Sequence, residues 1–122
     1  MSAFNITKRA YARERIRFTN GGATGLTATL FNDTADAGPN PNQTGTSRRK
    51  ASAAKLVFDS VAGDVHFTEE GTAPNVATDN TGVGSIAGAR DVIFLESYEA
   101  IAKFKAIALT ATPADVEVVY YR

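Results

Sequence analysis

Cysteine and tryptophan are absent from this 122-residue chain, and histidine and methionine occur once each. Without cysteine there is no disulfide, no thiolate metal site and no sulfur nucleophile. A lone histidine, His66, removes multi-histidine metal centres and most zinc sites. The missing tryptophan argues against a carbohydrate-binding module, which wants flat aromatics on one face. No apolar run approaches the roughly 20 residues that span a bilayer, so no membrane partner is expected. Met1-Ser2-Ala3-Phe4-Asn5 lacks the apolar core of a secretory signal, so export by that route is not expected. The length suits one domain with one core. No cofactor is expected, and stability must come from packing and sheet pairing.

Net charge is also lacking, since 13 basic and 13 acidic side chains cancel. Their placement is uneven. Residues 1–20 carry Lys8, Arg9, Arg13, Arg15 and Arg17 against Glu14 alone, leaving an acidic remainder. A basic arm on an acidic body suggests docking onto an acidic surface or a neighbouring copy. Arginines alternating with Glu14, Ile16 and Phe18 equally describe an ordinary solvated strand face, which is the preferred reading. Nucleic acid is not an expected partner, because the cations are not interleaved with aromatics and no basic groove continues beyond the arm.

Short alternating segments separated by turn residues recur along the chain. Residues 13–19 read as a strand ended by Asn20-Gly21-Gly22, and Leu26 to Phe31 as a second. A polar stretch at 32–50 follows, long enough to be either functional or disordered. Ala54 to Val61 and Val65 to Thr68 read as strands, and Val76 to Thr78 as a short edge strand. The glycine-rich stretch 79–89 reads as a loop. Asp91 to Glu96 is the most apolar run and reads as a strand buried on both faces. Ser97 to Ala100 fits a helical turn or a bend, with strands at Ala100 to Leu109 and Val116 to Arg122. About eight short strands without an amphipathic helix predict an all-β antiparallel sandwich. The arm then occupies residues 1–12 and a single sandwich domain residues 13–122.

Catalytic and metal-binding chemistry find little support. His66 alternates off the Val65/Phe67 face, which predicts a solvent-facing strand position. Glu69 and Glu70 sit at a turn beside Gly71, where charges are simply solvated. Gly82-Val83-Gly84-Ser85-Ile86-Ala87-Gly88 approaches a dinucleotide fingerprint, but its third glycine is displaced and no helix follows. Those glycines predict a loop packed closely against backbone. Asn32, Asp33, Asp36, Asn40 and Asn42 offer oxygen ligands without the spacing of a calcium loop. No catalytic, cofactor or metal residue is assigned. The candidates are for a partner interface: Lys8, Arg9, Tyr11, Arg13, Arg48, Arg49 and Tyr121. Val116, Val118 and Tyr120 share one strand face, and Glu117, Val119 and Tyr121 the other. Tyr120 and Tyr121 therefore cannot both face one core, and one should lie at an edge, rim or subunit contact.

Gly63-Asp64-Val65-His66-Phe67-Thr68, Gly71-Thr72-Ala73-Pro74, Ile101-Ala102-Lys103-Phe104-Lys105-Ala106-Ile107 and Val116-Glu117-Val118-Val119-Tyr120-Tyr121-Arg122 carry a resemblance. Over about residues 60–122 the chain resembles small structural proteins of tailed bacteriophages, namely capsid decoration or cement proteins. That resemblance implies a jelly-roll-like sandwich without enzymatic activity, on the outer capsid surface, bridging and stabilising capsid subunits. The implied partners are the major capsid protein and further copies of this chain. Another virion component, such as a tail, head-fibre or head-completion protein, is the alternative.

Overall fold

The computed structural model describes residues 9–31 and 50–122, and β-sheet dominates its regular structure. Strands β1 (Ala10–Phe18), β2 (Ala53–Phe58), β5 (Val92–Leu95) and β7 (Ala114–Tyr121) form a four-stranded sheet in the order β1-β7-β2-β5. Strands β3 (Val65–Thr68), β4 (Ser85–Ala87) and β6 (Lys105–Ala108) form a second sheet in the order β4-β3-β6. Every pairing is antiparallel. The molecule is the expected all-β sandwich, with seven strands among the described residues rather than eight. A single bridge between Thr24 and Ala106 extends the second sheet on the β6 side.

The core forms where the inward residues of the two sheets meet. In β7, Ala114, Val116, Val118 and Tyr120 face inward and are fully buried. Leu56, Phe58 and Leu95 join them from β2 and β5, and Val65 and Ala106 come from the opposite sheet. Phe104 links the sheets, with its ring 6.1 Å from Phe18 and stacked 5.8 Å from Phe67. Outward-facing Val119 is also buried, and the register sets it between Arg13 and Lys55. Long cationic stems of that type cover apolar surface while their heads stay wet.

One polar cluster lies beside this core. The Tyr120 hydroxyl donates to Glu14 Oε2, and the Thr27 hydroxyl donates to Glu14 Oε1 at 2.6 Å. Burial, and then the hydrogen bond to Glu14, push the Tyr120 hydroxyl well above the usual phenol range. The cluster ties β1 to β7 and fixes the segment leading out of β1.

That anchor explains one correction to the sequence reading. Leu26 to Phe31 is not a strand; Ala28–Phe31 is a helical turn, α1. Its first turn closes on Thr27, whose carbonyl accepts from Leu30 N at 2.9 Å and Phe31 N at 3.2 Å. The segment approaches β6 only at Thr24, so no ladder competes with the turn. Ala100 to Leu109 likewise divides into helix α2 (Tyr98–Lys103) and β6. Ser97 caps α2 by accepting from Ala100 N at 3.0 Å, and Lys103 pairs with Glu99 at 3.0 Å. Extended backbone at Phe104 ends the helix.

Other boundaries shift as well. Strand β1 begins at Ala10, three residues before the expected start, because Ala10 already pairs with Tyr121. β2 ends at Phe58, where Asp59 opens a turn by accepting from Ala62 N. Val76 to Thr78 is not a strand, whereas the expected glycine-rich loop contains β4. The Asp91 to Glu96 run is not buried on both faces. Its strand β5 is an edge strand that buries Ile93 and Leu95 while Val92 and Phe94 remain outward. Most of the arm and of the 32–50 stretch lies outside the described residues.

Tyr120→Phe should lower unfolding free energy by about 2 kcal/mol, since a hydrogen bond to a charged group contributes roughly 1.5–3 kcal/mol. Urea denaturation should show this as a lower midpoint at unchanged slope.

Candidate interaction surface

The outward face of β1 presents Arg13, Arg15 and Arg17 in a row, with side chains 65%, 58% and 61% exposed. Their register partners on β7 are Val119, Glu117 and Asp115. Arg17 binds Asp115 in bidentate fashion, at 2.7 Å through Nε and 3.1 Å through Nη2. Arg15 reaches Asp59 at 2.5 Å, and Arg13 approaches Glu117 at 3.8 Å. Hydrogen bonding by Arg17 holds the Asp115 carboxyl below its ordinary range, and the same contact raises Arg17. Such exposed pairs contribute only about 0–1 kcal/mol each, so they order the face more than they hold the fold.

Four of the candidate interface residues come together near one end of the β1–β7 ladder. Arg9 and Arg122 exchange two backbone hydrogen bonds of 3.2 and 3.1 Å. The Arg122 guanidinium lies 4.6 Å from the Tyr11 ring centroid, and the Tyr11 hydroxyl donates to the Leu30 carbonyl at 2.8 Å. Arg13 follows two residues along β1. Tyr121 is half-buried opposite Ala10 and Ala53, whereas Tyr120 is fully buried, so the tyrosines divide between rim and core. Lys8, Arg48 and Arg49 lie outside the described residues. Asp59, Asp115 and Glu117 were missed as members of this face. Alternation in Asp115-Val116-Glu117-Val118 was a signal for two of them, but Asp59 joins through strand order, which local sequence does not carry.

The second sheet has a covered outer face. His66, expected to face solvent, is only 4% exposed. Residues 69–84 leave β3 and return as a strap over this face, so that outward His66, Thr68 and Ile107 are all buried. The His66 Nδ1–H donates to the Asn75 carbonyl at 2.7 Å, because a carbonyl can only accept. Thr68 Oγ1 donates to the Thr72 carbonyl at 2.5 Å. Asn75 organises the strap: its Oδ1 accepts from Val83 N at 3.0 Å and Ala77 N at 3.2 Å, and its Nδ2 donates to Thr81 O at 3.0 Å.

The glycines act as the close-packing reading expected. A Cβ at Gly82 would collide with the Ala77 carbonyl, and one at Gly88 with the Asp64 carboxylate. Gly84 has φ of +123° and lies against His66 and the Phe67 backbone. An open cleft of about 310 Å³ borders the strap, lined by Phe67, Thr68, Glu69, Glu70, Val83 and Ser85 among others. Partial burial, and then the nearby Glu70 and Glu96 charges, raise the Glu69 carboxyl above its ordinary range. Among the described residues no three metal-ligating side chains converge. The calcium candidates at 32–42 lie outside the described residues. Among the described residues no helix is long and apolar enough to cross a membrane.

Comparison with protein-family models, curated proteins and solved structures finds no match for the chain.

Asn75→Ala should release the strap without unfolding the sandwich. Amide exchange at Ala77 and Val83 should accelerate about tenfold or more, while inward β7 amides keep their protection. Glu69→Gln tests the charge crowding. A raised folded pKa makes the ionised carboxylate a liability above that pKa, and the liability vanishes below the unfolded value. Melting temperature should therefore rise at pH 7, and the gain should disappear as pH falls below about 4.

Proposed function

We propose that the chain is a non-enzymatic virion structural protein, a capsid decoration or cement protein of a tailed bacteriophage. The strand order is the observation that carries this reading. An eight-stranded jelly roll places its first, eighth, third and sixth strands in one sheet and its second, seventh, fourth and fifth in the other. Counting the Thr24 bridge as a rudimentary second strand, β1-β7-β2-β5 takes the first order. The bridge with β6, β3 and β4 takes the second. This supports the finer jelly-roll assignment. A fold of this type hosts many functions, so the resemblance over residues 60–122 supplies the narrower class. Its Gly71–Pro74 turn begins the strap, with Gly71 at φ +96° and Thr72 bonded back to Thr68. Its paired tyrosines divide between core and rim.

The action proposed is mechanical. Copies seated on the outer capsid surface bridge adjacent capsid subunits, or each other, so that separating subunits requires breaking further contacts. Many weak contacts in a symmetric shell add to a large barrier against expansion or rupture. Quantitative mass spectrometry of purified particles tests the assignment. A cement protein should be present in on the order of hundreds of copies per particle, as shell symmetry demands. Roughly tens of copies or fewer would identify a tail or head-completion component instead. Absence from particles would overturn the virion reading.

A further inference from the structure

We propose that the open edge of β1 is a docking site for an extended protein segment carrying carboxylates at alternate positions. Strand β7 occupies one edge of β1, and among the described residues no strand pairs with the other. Free of proline, residues 12–18 of β1 carry every backbone N–H and C=O group that a further strand would need. Its one irregularity lies between Ala10 and Ala12, outside the stretch 12–18. Edges of this length are usually shortened, bulged or covered because they recruit other strands.

The arginine row decides what this edge accepts. In a two-fold antiparallel pairing with β1 of another copy, residues of the same face oppose each other. With the axis on any residue from Arg13 to Arg17, arginine would then meet arginine, and like charges directly opposed repel. Self-association centred on the arginine row is thereby disfavoured. The occupied edge displays the complement, since β7 sets Glu117 opposite Arg15 and Asp115 opposite Arg17. A second acidic strand would repeat that pattern on the other side.

Donor capacity remains for it. Arg13 stands 3.8 Å from Glu117, beyond hydrogen-bond distance, and Arg15 engages Asp59 through one nitrogen only. Arginine rather than lysine suits the role, because its planar fork presents five N–H donors to carboxylates. A peptide is favoured over a polyphosphate because only a peptide backbone completes the ladder in register. The inference stands whether or not the chain belongs to a virion.

The test is NMR titration of the isotope-labelled full chain with a capped hexapeptide alternating glutamate and threonine. Controls are the lysine–threonine counterpart and a short oligothymidylate. Amides of residues 12–18 should shift with the acidic peptide alone, and binding should weaken about tenfold between roughly 50 and 500 mM NaCl. Arg13→Gln combined with Arg15→Gln should weaken it about fivefold. Unchanged inward β7 amides would show that this variant stays folded. Equal binding of the lysine peptide, preference for the oligothymidylate, or shifts confined to another surface would overturn the proposal. So would an absence of shifts at about 5 mM peptide, or binding unaltered in the double variant.

Discussion

Strand β7 lies between β1 and β2, and the four-stranded sheet exists only because both of its edges are paired. Its neighbours are far from each other in sequence and share no pairing of their own. The inward residues of β7 supply the centre of the core, and its outward acids meet the β1 arginines. Tyr120 extends this control through its hydroxyl, which engages Glu14 on β1 and, through that carboxylate, Thr27. A single strand therefore sets the sheet order, the floor of the core and the start of α1.

The two faces of the sandwich are finished in different ways. The four-stranded sheet turns ion pairs toward solvent over the β1–β7 ladder, leaving arginine heads wet above buried Val119. The three-stranded sheet has its outer face roofed by its own chain, with Asn75 as the keystone of the roof. Close approach there is possible because a Cβ at Gly82 would collide with the Ala77 carbonyl, and Gly84, at positive φ, packs tightly against His66 and Phe67. The polar face is open to partners, and the roofed one is largely spent on the fold.

Local pattern carried much of this architecture. The alternation in Val116 to Tyr121 correctly separated the two strand faces, including the division between the two tyrosines. The strand read at Val65 to Thr68 coincides with β3. Failures arose where tertiary contacts outweighed local pattern. Leu26 to Phe31 alternates like a strand, but the Glu14 anchor holds Thr27 and turns the following residues into α1. His66 alternates outward as expected, and its burial comes from a strap that no local period announces. Val92 to Leu95 is apolar throughout, yet its edge position leaves one face to solvent. The candidate face was legible only in part, because Asp59 reaches Arg15 through strand order, which no local pattern carries.

The placement of β7 also bears on how the chain finds its structure. Until β7 inserts, β1 and β2 are two separate strands with unmatched backbone edges and bare apolar faces. Pairing them demands closure of long loops before any contact repays the lost entropy, which belongs to the slow end of single-domain folding. The compact β3–β4 hairpin and its strap involve shorter separations and can form first. The vulnerable interval is then the wait for β7, when β1 and β2 could be captured by strands of other chains. The arginines of β1 act in that interval too, since two incomplete molecules meeting along it repel each other. A residue row that orders a finished surface would thus also guard the route by which that surface is reached.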